Sequence, residues 1–189
     1  MIRRAGAKDV PEMGKLINDC AEYGQMLHRS HAFLYERVRD FHVAVEDERV
    51  IGVCGLAIVW ANLAELYALA VTPQVQGRGL GRQLVSTCVE EARHLGIGRV
   101  FVLTYEQPFF ARQGFTVIDR QQLPLKVWSE CVRCLKNQNC DEIAMIHVLE
   151  DVAQIAAPQP KTPPSDAFIV PVTLNATRGQ HRQKMSEAP

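Results

Sequence analysis

One segment decides the fold of this chain: Val71-Thr72-Pro73-Gln74-Val75-Gln76-Gly77-Arg78-Gly79-Leu80-Gly81-Arg82. It follows an apolar run that predicts a buried strand, and it opens a helical pattern. Its three glycines let the backbone turn tightly and remove side chains where a ligand must approach. Successive amide N–H groups then face one concavity, and the start of the helix adds partial positive charge. Arg78 and Arg82 can supplement that charge, so the segment predicts a diphosphate cradle.

Other interpretations of this segment fit less well or stay open. On spacing alone, the three glycines could simply form a tight strand-to-helix turn. A dinucleotide-binding Rossmann loop follows the first strand and needs an acidic residue about 20 residues later, whereas this loop follows the fourth predicted strand. A P-loop needs Gly-Lys-Ser/Thr, which this segment lacks.

The sequence on either side of the segment predicts alternating strands and helices. Asp9 is placed to cap the first helix, which has Pro11 in its first turn. Further helices are predicted at residues 31–39, 81–95 and 108–113. The pattern of the helix at residues 81–95 predicts that Leu84, Val85, Cys88 and Ala92 face inward. Strands are predicted at residues 2–5, 41–45, 50–60, 63–71, 99–104, 115–119 and 143–149. This order indicates an α/β chain with a mixed sheet.

Composition excludes several classes of protein. The chain has 189 residues, is 47% hydrophobic and carries 21 basic and 21 acidic residues, for a formal net charge of +0. That balance gives no support to a nucleic-acid binder or a polybasic membrane-surface protein. No apolar run reaches the roughly 18–20 residues of a membrane span, and the N-terminus has no secretory pattern. We therefore expect a cytoplasmic protein with reduced thiols.

The prolines divide the chain into two regions. Six of the ten prolines lie after residue 150, where the sequence has no helical period. We therefore expect a domain at residues 1–149 and a proline-rich, largely disordered tail at residues 150–189.

The glycine segment resembles the acyl-CoA pyrophosphate loop of the GNAT acetyltransferase superfamily, Gln/Arg-x-x-Gly-x-Gly/Ala. The later stretch Phe109-Phe110-Ala111-Arg112-Gln113-Gly114-Phe115 resembles that superfamily's aromatic helix, which ends in Gly-Phe. The resemblance extends over residues 1–149. It implies a mixed, mostly antiparallel sheet flanked by helices, with acyl-CoA bound where the middle strands splay apart. The residues it implies for the cofactor loop are Gln76, Gly77, Arg78, Gly79, Leu80, Gly81 and Arg82.

Five shorter stretches resemble the stand-alone N-acetylglutamate synthases of arginine biosynthesis. They are His28-Arg29-Ser30, Ala64-Glu65-Leu66, Phe101-Val102-Leu103-Thr104, Leu123-Pro124 and Asp141-Glu142-Ile143-Ala144-Met145. The resemblance implies direct transfer of acetyl from acetyl-CoA to the α-amine of L-glutamate, without a metal. Homodimers are common among proteins with such a fold.

The catalytic candidates are a glutamate and a neighbouring pair of hydroxyl groups. A buried Glu65 would be a usable base near neutral pH, although strand alternation equally allows a solvent-facing position. The synthase resemblance implies that Glu65 is the general base on the substrate ammonium. It also implies that Thr104 protonates the departing thiolate, although threonine favours strand ends in any case. The aromatic helix lacks the tyrosine that many superfamily members use, so Tyr105 is the alternative acid.

Substrate and pantetheine contacts are implied at two further places. The family has a glutamate-binding arginine in the stretch of Arg29, which could form a bidentate clamp on a carboxylate or be an ordinary solvated charge. Lys126 is a second candidate. In the superfamily the pantetheine arm pairs with the backbone of the strand end, here Leu69, Ala70 and Val71.

Cys131 and Cys134, with Cys140 six residues later, suggest a metal site, but zinc needs four ligands and three thiols cluster. His147 or Cys54 could complete such a site. Buried thiols are the simpler interpretation, and we expect no metal.

Two other functions remain open. The first is an acetyltransferase for another amino acid, a small amine or a protein N-terminus. The second is a non-catalytic acyl-CoA-binding module that regulates a partner.

Overall fold

The computed structural model describes residues 1–124 and 140–153. These residues contain seven strands in one sheet, in the order β1-β2-β3-β4-β5-β7-β6. Neighbouring strands are antiparallel except for the parallel pair β4 and β5. The strands are β1 (Ile2–Arg4), β2 (Phe41–Glu46), β3 (Arg49–Trp60), β4 (Leu63–Val71), β5 (Arg99–Thr104), β6 (Thr116–Val117) and β7 (Ile143–Val148).

Four α-helices accompany the sheet: α1 (Val10–Glu22), α2 (His31–Glu36), α3 (Leu80–His94) and α4 (Gln107–Ala111). The prediction of a mixed, mostly antiparallel sheet flanked by helices is confirmed. In the described part of the chain, no helix is long and apolar enough to cross a bilayer.

The two faces of the sheet have separate hydrophobic cores. On one face, α3 buries Leu84, Val85, Cys88 and Ala92, the residues that its sequence pattern predicts to face inward. On the other face, α1 and α2 cover β2, β3 and β4 with residues that include Met13, Ile17, Leu34 and Phe41. The same face carries a smaller cluster towards β5 and β7, made of Leu63, Phe101, Leu123 and Ala144. Each strand residue therefore belongs to the α3 face or to the α1/α2 face.

Asp9 does not cap α1 through its side chain, contrary to the sequence prediction. Its carboxylate instead accepts hydrogen bonds from Arg3 Nη1 at 2.7 Å and Nη2 at 2.9 Å, and from the Gly6 N–H at 2.7 Å. Arg3 lies on β1, so this pair ties the first strand to the segment that leads into α1. The guanidinium replaces the helix amides because a bidentate, charge-assisted pair is the stronger interaction.

Residues just beyond β7 also contact the domain. Asp151 Oδ2 accepts a hydrogen bond from Arg93 Nε at 2.7 Å, and Val152 packs against the core on the α3 face. The predicted tail lies outside the described residues from residue 154 onward.

Candidate active site

β4 and β5 separate at the centre of the sheet. Within the described residues they pair at Ala64 with Val100 and at Glu65 with Phe101. Beyond Glu65 the remaining part of β4 has no ladder to β5, so its backbone groups face a gap between the strands. A ligand with amide groups can pair with such an edge as an added strand. Leu69, Ala70 and Val71 all lie along this edge.

A β-bulge changes the direction of β4 inside the gap. Tyr67 pairs with Gly55 and Ala70 pairs with Val53, so two residues of β4, Ala68 and Leu69, oppose one residue of β3. Ala68 has a φ of 50°, which is unusual for a residue other than glycine. Local strain of this kind persists where the surrounding structure imposes it, often at functional sites.

The bulge reverses which face each β4 residue occupies. Before it, Ala64 and Leu66 pack on the α3 face, and after it Leu69 and Val71 do so. Ala70 is consequently buried on the α1/α2 face.

The glycine segment forms a cradle in front of α3. Gly77 and Gly79 have φ values of 76° and 80°, and a Cβ atom at either residue would meet no atom of residues 1–124 or 140–153 within 4 Å. Gly79 is the N-cap residue, and its carbonyl accepts the Gln83 N–H at 3.1 Å. Helix geometry leaves the earlier N–H groups of the first turn without an intrahelical acceptor. Open space, unpaired helix amides and partial positive charge together suit a diphosphate.

The side chains around the cradle have two different roles. Arg78 and Arg82 are exposed, and neither forms an ion pair within the described residues. Gln76 turns back, and its Nε2 donates to the Val71 carbonyl at 3.0 Å. A Cβ atom on Gly81 would lie 3.6 Å from Phe109, which is ordinary packing. The arginines therefore remain available to an anion, while Gln76 holds the loop against the strand.

Glu65 and Thr104 lie on opposite faces of the gap. Glu65 is half-buried and pairs with Phe101, whose side chain belongs to the α1/α2 face. Thr104 is buried, and strand alternation after Val102 puts it on the α3 face. Its Oγ1 accepts the Glu106 N–H at 2.9 Å and keeps its own proton for donation. Tyr105 is half-buried and follows directly after β5.

Arg29 reaches the α1/α2 face from the loop before α2. Asn18 holds the Arg29 backbone with two bonds, accepting the Arg29 N–H at 2.8 Å and donating to the Arg29 carbonyl at 3.0 Å. The Arg29 guanidinium carbon lies 4.3 Å from the centroid of the Phe33 ring. Its charge also acts on the Tyr67 phenol, which lies two residues after Glu65 on the same strand. Phe33 and Tyr67 both pack in the core on the α1/α2 face, so Arg29 lies on the same face of the sheet as Glu65.

Tyr67 and Asp40 were not identified from the sequence. The Tyr67 hydroxyl donates to Asp40 Oδ2 at 3.3 Å, and burial raises the pKa of both groups. The ring makes an edge contact with Phe41, and a Cβ atom on Gly55 would lie only 2.6 Å from it. An isolated tyrosine in an apolar strand carries no signal of such a partner, because Asp40 is distant in sequence.

Some predicted site residues lie outside the described part of the chain. Lys126, Cys131 and Cys134 fall between residues 125 and 139. Cys140 is described, and its thiol lies 3.7 Å from Glu142 Oε2. Over residues 1–124 and 140–153, no three His, Cys, Asp or Glu side chains are grouped to hold a metal ion.

The chain is similar to proteins of one family. Residues 10–115 match the Acetyltransferase (GNAT) family. An uncharacterized N-acetyltransferase of Chlorobaculum tepidum is 37% identical over 148 residues, which cover 78% of this chain and 96% of that protein. The amino-acid acetyltransferase of Mycobacterium tuberculosis is 37% identical over 137 residues, or 70% of this chain and 78% of that protein.

One solved structure with the same fold contains bound coenzyme A. N-acetylglutamate synthase from Neisseria gonorrhoeae, complexed with coenzyme A and N-acetyl-glutamate, has a TM-score of 0.72 and 28% identity. The match covers 79% of this chain and 35% of that longer chain. Together with the splayed strands and the glycine cradle, these similarities identify the family. The chain belongs to the GNAT acetyltransferase family.

Proposed function

We propose that this protein transfers the acetyl group of acetyl-CoA to the α-amine of L-glutamate. The observation that carries this proposal is the gap between β4 and β5, which has Glu65 at its closed end and the glycine cradle at its open end. The reaction would belong to arginine biosynthesis in the cytoplasm. Two similar proteins support this proposal: the amino-acid acetyltransferase of M. tuberculosis and the N-acetylglutamate synthase of N. gonorrhoeae.

The two faces of the gap suit two different substrates. The cradle lies at the start of α3, on the face that carries Thr104. Glu65 and Arg29 belong to the face covered by α1 and α2. Acetyl-CoA would therefore approach from the α3 face and pair its pantetheine amides with the open edge of β4. The amino acid would approach from the opposite face, so the amine and the thioester meet in the gap.

Each residue then has one chemical task. Amides of the glycine segment, with Arg78 and Arg82, bind the diphosphate. Glu65 accepts a proton from the substrate ammonium, directly or through water. The neutral amine bonds to the acetyl carbon, and the carbon–sulfur bond breaks with its electron pair going to sulfur. The nitrogen loses its second proton as the amide forms, and this proton replaces the one that the hydroxyl group gives to sulfur. Thr104, or Tyr105 beside it, supplies a proton to that sulfur. Arg29 binds a substrate carboxylate.

An amino-acid panel tests the proposal. Thiol release from acetyl-CoA is measured with L-glutamate, L-glutamine, L-aspartate, other amino acids, a polyamine and a peptide N-terminus. We expect the highest kcat/KM with L-glutamate. Turnover of another amine without turnover of glutamate would assign the chain to a different acceptor. Binding of acetyl-CoA without turnover of any amine would favour a regulatory module.

The role of Glu65 is tested by Glu65→Gln. We expect kcat to fall by about 10²- to 10³-fold at pH 7, because general-base catalysis contributes effects of this size. Part of the loss should recover at alkaline pH, where the amine is already neutral. The matched control is Glu46→Gln, an exposed carboxylate at the end of β2. Full activity of Glu65→Gln at neutral pH would contradict the assignment.

A further inference from the structure

Phe33 on α2 carries two guanidinium groups. The guanidinium carbon of Arg29 lies 4.3 Å from the ring centroid, and that of Arg37 lies 4.8 Å from it. Each cation–π contact orients a planar guanidinium against the ring. One aromatic side chain therefore holds two positive charges close together.

The hydrogen-bond donors of Arg37 are available to a ligand. Arg37 Nη1 lies 4.0 Å from Asp40 Oδ2, longer than the 2.7–2.9 Å of a charge-assisted hydrogen bond. Over the described ranges, the Arg37 guanidinium donates no hydrogen bond to the protein, and its side chain is 43% exposed. A guanidinium has five donors in a fixed fork that matches a carboxylate. Phe33 thus orients this group while leaving its donors unused.

Arg37 also lies beside the acceptor face of the gap. The charges of Arg37 and Arg29 both act on the phenol of Tyr67 and oppose the rise that burial causes in its pKa. Tyr67 comes two residues after Glu65, on the same face of β4 and before the bulge. The Tyr67 hydroxyl donates to Asp40 Oδ2 at 3.3 Å, and the same oxygen lies 4.0 Å from Arg37 Nη1, so Arg37 lies near the face of β4 that carries Glu65.

We infer that Arg37 is a specificity-determining residue that binds the second carboxylate of a dicarboxylic amino acid, while Arg29 binds the first. This inference rests on the proposed function. Glutamine has an amide in place of that carboxylate. The amide has no charge, and its N–H groups would face the Arg37 guanidinium, which has only donors. Two cations spaced by one aromatic ring therefore favour glutamate over glutamine.

The test compares Arg37→Gln with the wild type on L-glutamate and L-glutamine at saturating acetyl-CoA. We expect KM for glutamate to rise about tenfold, with kcat within about twofold, because a hydrogen-bonded charge pair is lost from the bound state. KM for glutamine should stay within about twofold, and Arg37→Lys should recover part of the glutamate affinity. The matched control is Arg39→Gln, which removes the same charge from an exposed position two residues later.

Three outcomes separate this inference from the function it rests on. If the wild type acetylates no amino acid, the proposed function fails. If the wild type acetylates glutamate and Arg37→Gln leaves the ratio of KM values unchanged, the role of Arg37 alone is wrong. A fall in kcat for both acceptors together with a lower Tm would indicate a structural role and would also overturn the inference.

Discussion

At the scale of single residues, the structure gives several side chains partners that their local sequence does not suggest. Asp9 precedes a helix and has the type of side chain that caps helices, but it binds Arg3 instead. Burial favours this choice, because Asp9 is 6% exposed and a buried carboxylate needs a partner. The hydrogen bond from Arg3 is the main cause that holds the pKa of Asp9 below its ordinary value of 3.8.

This ion pair predicts how stability depends on pH. The pKa of Asp9 is lower in the folded state than in the unfolded state. Its contribution to the free energy of unfolding is therefore complete above the ordinary pKa, and it is lost as the pH falls through the folded-state pKa. Asp9→Asn should reduce the free energy of unfolding by about 1–3 kcal/mol at pH 7. The difference from the wild type should shrink as the pH falls below about 4.

Urea unfolding at pH 7 and pH 3 measures this effect. The control is Asp19→Asn, since Asp19 pairs with Lys15 at 2.6 Å on the surface with the two side chains 58% and 77% exposed. Exposed pairs contribute little to stability, so this variant should change it by under about 1 kcal/mol. Equal losses in the two variants at pH 7 would contradict the assignment.

At the scale of elements, the start of α3 and the bulge of β4 build the site together. The bulge lets Leu69 and Val71 pack under α3 while Ala70 packs on the opposite face. Gly79 begins α3 in the left-handed conformation with open space before it. The strand edge and the helix N-terminus therefore face the same gap, and a ligand can contact both.

Two glycines at opposite ends of α3 allow an effect on acetyl-CoA binding to be distinguished from an effect on stability. Gly79 and Gly96 have φ values of 80° and 71°, and a Cβ atom on either would meet no atom within 4 Å in the described part of the chain. Changing either to alanine should lower the free energy of unfolding by about 1–2 kcal/mol, because left-handed backbone is strained with a Cβ atom.

Gly79→Ala should also raise KM for acetyl-CoA by about tenfold, since the added methyl would occupy the space of the cradle and disturb its amides. Gly96→Ala should leave KM for acetyl-CoA unchanged within about twofold. Chemical unfolding and initial-rate kinetics give both quantities. If the two variants affect KM equally, the loop does not bind the diphosphate.

At the scale of the whole molecule, the described residues all lie in one compact unit. The contacts of Asp151 and Val152 extend past residue 149, where the sequence suggests that the domain ends. These contacts join the end of β7 to α3 and to the core on the α3 face. We therefore propose that the boundary relevant to folding lies after Val152 rather than at residue 149.

Two truncated chains test this boundary. A chain of residues 1–157 should keep its Tm within about 2 °C and its kcat and KM within about twofold of the full-length protein. A chain of residues 1–149 should lose several °C in Tm, because it lacks the partner of Arg93 and the packing of Val152. Thermal unfolding and thiol release measure these effects. A large loss of kcat in the longer chain would assign the tail a role in catalysis.

The sequence by itself determined the order of strands and helices, the inward face of α3 and the glycine segment, because each depends on local periodicity or on the conformational freedom of glycine. Only the tertiary structure decided three further features: the bulge at Ala68, the opposite faces of Glu65 and Thr104, and the hydrogen bond from Tyr67 to Asp40. The physical reason is that strand register, bulges and side-chain partners arise between segments that are far apart in sequence. Local patterns cannot encode which distant group a buried side chain will meet.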